Sequence, residues 1–216
     1  MEYISTRNTQ KTFSFKDVFL KGLAPDGGLF VPKKIPSYSS QELEKLRDLS
    51  YRDLVERIIL KFCSDEFSKA EIKNFVNNSY KNFRVQDVVS IKKLGKTNLL
   101  ELFHGPTLAF KDIAMQVIGN MYEKILEKNN LKVNIVVATS GDTGAAAISA
   151  IRDRKNIKIF VLHPDNKISE VQRKFMTTVN SSNVFNIALA SNFDECQKFV
   201  KRSEERRVGK ECRSRW

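Results

Sequence analysis

Glu101-Leu102-Phe103-His104-Gly105-Pro106-Thr107-Leu108-Ala109-Phe110-Lys111-Asp112 is the stretch from which the rest of this 216-residue chain is read. A short apolar strand ends in a Gly-Pro turn, and a lysine follows where helical periodicity begins. Beyond Lys111, the residues Ala114, Ile118, Met121 and Ile125 recur at helical spacing, with Glu123, Lys124, Glu127 and Lys128 outside. Lys111 therefore falls in the first helical turn, where the positive end of the helix dipole disfavours a cation. The same field favours a neutral amine, which a lysine acting as nucleophile or base requires. Phe103, Leu108 and Phe110 are available as apolar walls acting in the same sense. On pattern alone the plainer reading wins: surface lysines that open ordinary helices far outnumber catalytic ones.

From Leu131 onward, strand and helix alternate. Val133 to Ala138 is a continuous apolar run suited to a buried parallel strand, and Ala145 to Ile151 reads as a small-residue helix. Ile157 to Leu162 and Val184 to Leu189 repeat the strand signal, with helices over 168–177 and 193–200. Such alternation predicts a parallel sheet with helical crossovers. Between the first strand and its helix lies Thr139-Ser140-Gly141-Asp142-Thr143-Gly144. A strand's carboxyl end meeting a helix's amino end is where open α/β sheets bind ligands. Backbone N–H groups, the Ser and Thr hydroxyls and two permissive glycines there make an anion cradle. Taken singly, that loop is only a common turn; some thirty residues after Lys111 it means more.

The dodecamer resembles the cofactor-lysine segment of the threonine synthase family, pyridoxal-phosphate enzymes of the tryptophan-synthase-β fold type. Three more phrases carry the resemblance. They are Gly22-Leu23-Ala24-Pro25-Asp26-Gly27-Gly28-Leu29-Phe30-Val31-Pro32, His163 to Arg173 with Met176-Thr177-Thr178, and Asn192 to Gln197. The resemblance thus spans residues 1–201. It implies that Lys111 links covalently to pyridoxal 5'-phosphate and acts in catalysis. It also implies that Ser140, Gly141, Thr143 and Gly144 contact the substrate carboxylate and that Asp142 lies near the cofactor ring. Many fold relatives carry Asn at the Asp142 position. His104 and His163 are candidate active-site donors, with His104 favoured by its place in the lysine segment. Lys167 and Arg173 either reach a substrate phosphate or are solvated helix charges, the plainer reading.

The implied fold is α/β: an N-terminal mixed region over 1–95, the strand and cofactor-lysine helix of a larger domain over 96–130, and a parallel three-layer αβα subdomain over 131–201. In the N-terminal region, Ser39 with Glu42, Ser50 with Asp53 and Ser68 with Glu71 are helix-start signals. The helices they open are packing helices. Cys63, Cys196 and Cys212 have neither metal-ligand nor redox spacing, so no metal site is expected.

The net charge of +12 divides unevenly. Residues 1–201 hold 23 Lys and 8 Arg against 22 acids, whereas 202–216 hold 5 Arg and 1 Lys against 3 acids. That last stretch, RSEERRVGKECRSRW, matches in order the translation of a common short-read sequencing adapter. We therefore expect 202–216 to be an artefactual tail on a frame cut at Lys201. A basic nucleic-acid-binding module is the reading from a different class. Scattered lysines and the lack of an aromatic-basic platform speak against it. No apolar run is long enough to span a bilayer, and no secretory leader opens the chain, so a cytoplasmic enzyme is expected.

The resemblance implies conversion of O-phospho-L-homoserine and water to L-threonine and phosphate, with amino-acid dehydration or another β/γ-replacement as alternatives. The family's Gly-rich cradle for the cofactor phosphate and its partner for the pyridine nitrogen are absent from 1–201. The chain by itself is expected to be inactive, and the apolar face of its lysine helix to be exposed.

Overall fold

The computed structural model describes residues 1–205, the last three by their backbone alone. Most of the tail at 202–216 thus lies outside the described residues. The chain opens with β1 (Tyr3–Ser5), β2 (Thr12–Phe13), α1 (Phe15–Lys21) and β3 (Phe30–Pro32). These strands form an antiparallel sheet in the order β2-β1-β3. Asp26 closes the turn before β3, accepting hydrogen bonds from Ser5 Oγ at 2.7 Å and Gly28 N at 2.9 Å.

Three helices follow, each where its serine signals a start: α2 (Ser40–Glu44), α3 (Tyr51–Cys63) and α4 (Lys69–Tyr80). Ser39 and Ser68 complete capping boxes with Glu42 and Glu71, while Ser50 caps α3 through the N–H of Asp53. A hairpin, β4 (Ser90–Leu94) and β5 (Thr97–Glu101), then leads into the lysine segment. It pairs residues on both sides of position 95, where the sequence reading places a domain boundary.

Helix α5 (Asp112–Lys128) organises the rest. Val117, Met121 and Ile125 pack with Phe67, Ile72 and Phe75 in one core, and Tyr122 and Leu126 join a second core. Burial on two sides corrects two expectations. Ala114 is exposed rather than on a core face, and the helix itself is covered. The apolar groups left in solvent include a run on the hairpin and the lysine loop: Ile91, Leu94, Leu99, Leu100, Phe103 and Phe110.

The second core belongs to β6 (Val133–Ala138), α6 (Asp142–Ile151), β7 (Ile157–Pro164), α7 (Glu170–Thr177), β8 (Val184–Leu189) and α8 (Phe193–Glu205). The strands pair in parallel in the order β6-β7-β8. Side chains alternate across the pleat, so Ile157, Ile159 and Val161 enter the core with Ile148 and Ile151 of α6. Phe160 and Leu162 face the other way, on the side where α8 lies against β6 and β7. The result is the three-layer αβα unit that the resemblance implies, with the parallel sheet that the alternation predicts. Each fully buried Ile or Val of this sheet contributes about 1.5–3 kcal/mol. Among the described residues, no helix is long and apolar enough to cross a membrane.

Candidate active site

Lys111 is the N-cap residue of α5, with helical backbone angles of φ −62° and ψ −24°. Its Nζ lies 4.5 Å from the centroid of the Phe110 ring. Among the described residues, no carboxylate stands within ion-pairing distance of it. The apolar walls are thinner than the sequence implies: Phe103, Leu108 and Phe110 are 51%, 41% and 60% exposed. Phe103 packs on the His104 ring, at 4.7 Å between centroids.

The loop before Lys111 is stitched to the helix by Asp112, which is fully buried at the first helical position. One of its oxygens accepts the Thr107 N–H at 2.7 Å, and the other accepts the Thr107 hydroxyl at 2.7 Å. Burial pushes the Asp112 carboxyl above its ordinary range, and the two Thr107 bonds oppose that rise. Its carboxylate also answers the positive end of the α5 dipole, beside which Lys111 sits. Gly105 lies against the same carboxylate: a Cβ there would come within 2.5 Å of Asp112 Oδ2. Leu108 takes a left-handed φ of +64°, and Asp112 N–H returns to the Ala109 carbonyl at 3.0 Å.

His104, upstream in the segment, belongs to a polar knot on the hairpin. Its Nε2 lies 3.2 Å from Glu101 Oε2 and 3.1 Å from Ser90 Oγ, while Lys92 Nζ reaches Glu101 Oε1 at 2.8 Å. The Lys92 and Ser90 hydrogen bonds bring the Glu101 carboxyl down to about 2. His163 is buried within β7, its Nδ1 3.4 Å from the Pro164 carbonyl. Lys167 and Arg173 are exposed.

The second loop is built around Thr139, which is 1% exposed. Its Oγ1 accepts the N–H of Gly141 at 3.0 Å and of Gly144 at 2.9 Å. Those two amides are therefore committed inside the loop. The amides of Asp142 and Thr143, the first two of α6, have no protein acceptor among the described residues, as helix starts dictate. Gly141 sits at φ +140°, a conformation that excludes a side chain, and a Cβ would in any case meet Gln172 Cδ at 2.5 Å. Gln172 of α7 donates to Asp142 Oδ1 at 2.6 Å, so the Asp142 side chain is already engaged. Ser140 is exposed and Thr143 half-buried.

Packing of α5 on α6 brings the two loops to one end of the molecule. Gln116 Nε2 donates to Ser149 Oγ at 3.0 Å, Gly119 faces the Ala150 carbonyl, and Glu123 pairs with Arg154. These contacts advance together along α5 and along α6 into the turn after it, so the helices run in the same direction. Lys111 and Gly141, each at an N-terminus, then lie at the same end. A cavity of about 300 Å³ touches the lysine loop at Pro106 and Thr107 but runs along α6 past Ser149 to Asp153 and to Thr178 after α7, so neither Lys111 nor Gly141 lines it.

Comparison with known proteins finds threonine synthases. Residues 2–80 match the family model described as threonine synthase N terminus. The threonine synthase of Pseudomonas aeruginosa is 44% identical over 204 residues, covering 94% of this chain and 44% of that protein. The chain is thus similar to threonine synthases along nearly its whole length.

Solved threonine synthases superpose on nearly all of it. The yeast enzyme gives a TM-score of 0.91 at 36% identity, with 98% of this chain and 45% of that one covered. The PLP-bound enzyme of Brucella melitensis gives 0.89 at 39% identity, with 95% and 45% covered. The chain spans less than half the length of the threonine synthases it matches. Two residues of this site escaped the sequence reading, Asp112 and Thr139. Each stands beside a residue singled out for chemistry, and each acts through backbone partners that no spacing rule reveals.

Proposed function

We propose that Lys111 carries pyridoxal 5'-phosphate and that the protein containing this sequence converts O-phospho-L-homoserine and water to L-threonine and phosphate. One observation carries the reading: an amine with no carboxylate partner and two uncommitted helix amides share one end of the α5–α6 pair. A lysine unclaimed by an acid fits an aldehyde cofactor, and free amides at a helix start fit an amino acid's carboxylate. The likeness to threonine synthases supports the substrate.

When bound, the cofactor supplies an electron sink for charge developing on the substrate carbons. This chain's residues do the rest. The N–H groups of Asp142 and Thr143, with the Ser140 and Thr143 hydroxyls, hold the carboxylate and so orient the amino acid. Lys111 Nζ, once its amine is free, takes and returns protons beside the α and β carbons. Gly141 and Gly144 contribute shape rather than donors, because Thr139 holds their amides. Asp142 is held by Gln172 on the α7 side.

Borohydride reduction of the chain after incubation with pyridoxal phosphate, followed by peptide mass mapping, is expected to place the pyridoxyl group on Lys111. Deleting 202–216 should leave that result unchanged. In a family-length protein with this sequence, Lys111→Ala should abolish nearly all threonine formation. Label spread evenly over the surface lysines, together with undiminished turnover by Lys111→Ala, refutes the proposal.

A further inference from the structure

We propose that Asp112 is the positioning residue for Lys111, its carboxylate clamping the 105–111 loop through Thr107 and so fixing where the lysine leaves α5. The inference rests on the reading of Lys111 as the cofactor lysine, and it adds a residue whose place in the site nothing but the geometry assigns. A fully buried carboxylate without an ion-pair partner is an expensive group to keep in a protein interior. Here both of its oxygens serve one residue, Thr107, through its N–H and its hydroxyl, each at 2.7 Å. Gly105 closes over the carboxylate so tightly that no side chain fits, and the Asp112 N–H closes a turn on Ala109. Lys111 lies inside the span so closed, adjacent in the chain to the clamping residue. Its own side chain has the Phe110 ring beside it and, among the described residues, no hydrogen-bond acceptor to hold it. The direction of the Lys111 side chain is therefore inherited from the backbone that Asp112 sets, because no other polar contact among the described residues fixes it.

The clamp is one of shape, which separates two substitutions. Asp112→Asn can keep both bonds: its Oδ1 accepts the Thr107 N–H, and its Nδ2 donates to the Thr107 hydroxyl, which can serve as acceptor. Asp112→Ala removes both and opens space under Gly105. Thr107→Val removes only the hydroxyl half and tests the same clamp from the loop side.

The experiment compares the 216-residue chain with these three variants, using far-UV circular dichroism and melting to confirm folding. Lys111 is then read in two ways. The first is the yield of borohydride-trapped pyridoxyl at Lys111 relative to all other lysines. The second needs no cofactor: the rate of Lys111 acetylation by limiting acetic anhydride across pH, with hydrogen exchange of amides 107–113. We expect Asp112→Asn to stay within about twofold of wild type in every readout. Folded Asp112→Ala should lose at least tenfold in Lys111 selectivity, shift the Lys111 acetylation profile and exchange amides 107–113 at least tenfold faster. Thr107→Val should move the same way by a smaller factor, and it decides the matter should Asp112→Ala fail to fold. A folded Asp112→Ala or Thr107→Val with wild-type Lys111 acetylation and wild-type exchange overturns the clamp. Wild-type chain that is never pyridoxylated at Lys111 refutes the cofactor reading instead, and acetylation and exchange still decide the clamp.

Discussion

Replacing Thr139 by Val tests how the 139–144 loop is held. The two side chains have nearly the same shape, so the substitution removes a hydroxyl and little else. That hydroxyl accepts the N–H groups of Gly141 at 3.0 Å and Gly144 at 2.9 Å in a site 1% exposed. Valine leaves two buried donors without a partner. Each such loss costs about 1–3 kcal/mol, so the pair is worth about 2–5 kcal/mol once partial relaxation is allowed. For a domain of this size each kcal/mol moves the melting temperature by about 2–4 °C, which gives a fall of about 4–20 °C. Thr139→Ser is the control. It keeps the acceptor and removes one methyl, a loss of about 1 kcal/mol. Thermal denaturation of the three proteins, followed by circular dichroism, should rank wild type above Ser and Ser well above Val. Val melting within 2 °C of wild type, or above Ser, would show that the loop amides find other acceptors, and the account of the loop would fail.

Two further outcomes follow from the same contacts. In a family-length protein, Thr143→Val should weaken substrate binding by about 1.5–3 kcal/mol, the worth of one hydrogen bond to a charged group; calorimetric titration showing unchanged affinity would remove Thr143 from the carboxylate site. Glu101, held at about 2 against its ordinary 4.5 by Lys92 and Ser90, stabilises the fold fully above pH 4.5 and loses that contribution as pH falls from there through 2. Melting temperatures between pH 5 and 2 should therefore fall more steeply in wild type than in Glu101→Gln, and parallel curves would refute the assignment.

Much of the chain was legible one element at a time, because some signals are complete within a few residues. A capping box closes between residues three apart, so Ser39–Glu42 and Ser68–Glu71 announced α2 and α4 without help from the fold. The apolar runs of β6, β7 and β8 likewise state their own burial, and their alternation with helices implies a parallel sheet. A simpler cap starts α1, where Ser14 Oγ accepts the Asp17 N–H ahead of a helix of only seven residues. The hairpin was missed in its first strand. Lys92, Lys93 and Lys96 interrupt any two-residue alternation, and both faces of the strands remain exposed.

What only the tertiary structure decided concerns contacts between residues that the chain brings together from afar or through its backbone path. The burial of α5 on two sides comes from α4 and α6 packing against different faces of one helix. A single periodic stripe through Ala114 could not foretell that. Which cradle amides are free depends on the Thr139 rotamer, so listing Ser140, Gly141, Thr143 and Gly144 by type could not separate donors from spacers. Asp142 is tied to Gln172, thirty residues on, and that tie exists only once α7 has packed beside α6. Asp112 reads in sequence as a common acid at a helix start. It becomes a buried clamp only because Gly105 and the left-handed Leu108 turn the loop back over it. Propensity and patterning act along the chain over a few residues. The direction of a side chain, and whether a polar atom is already spent, are set by whatever the finished fold places against it.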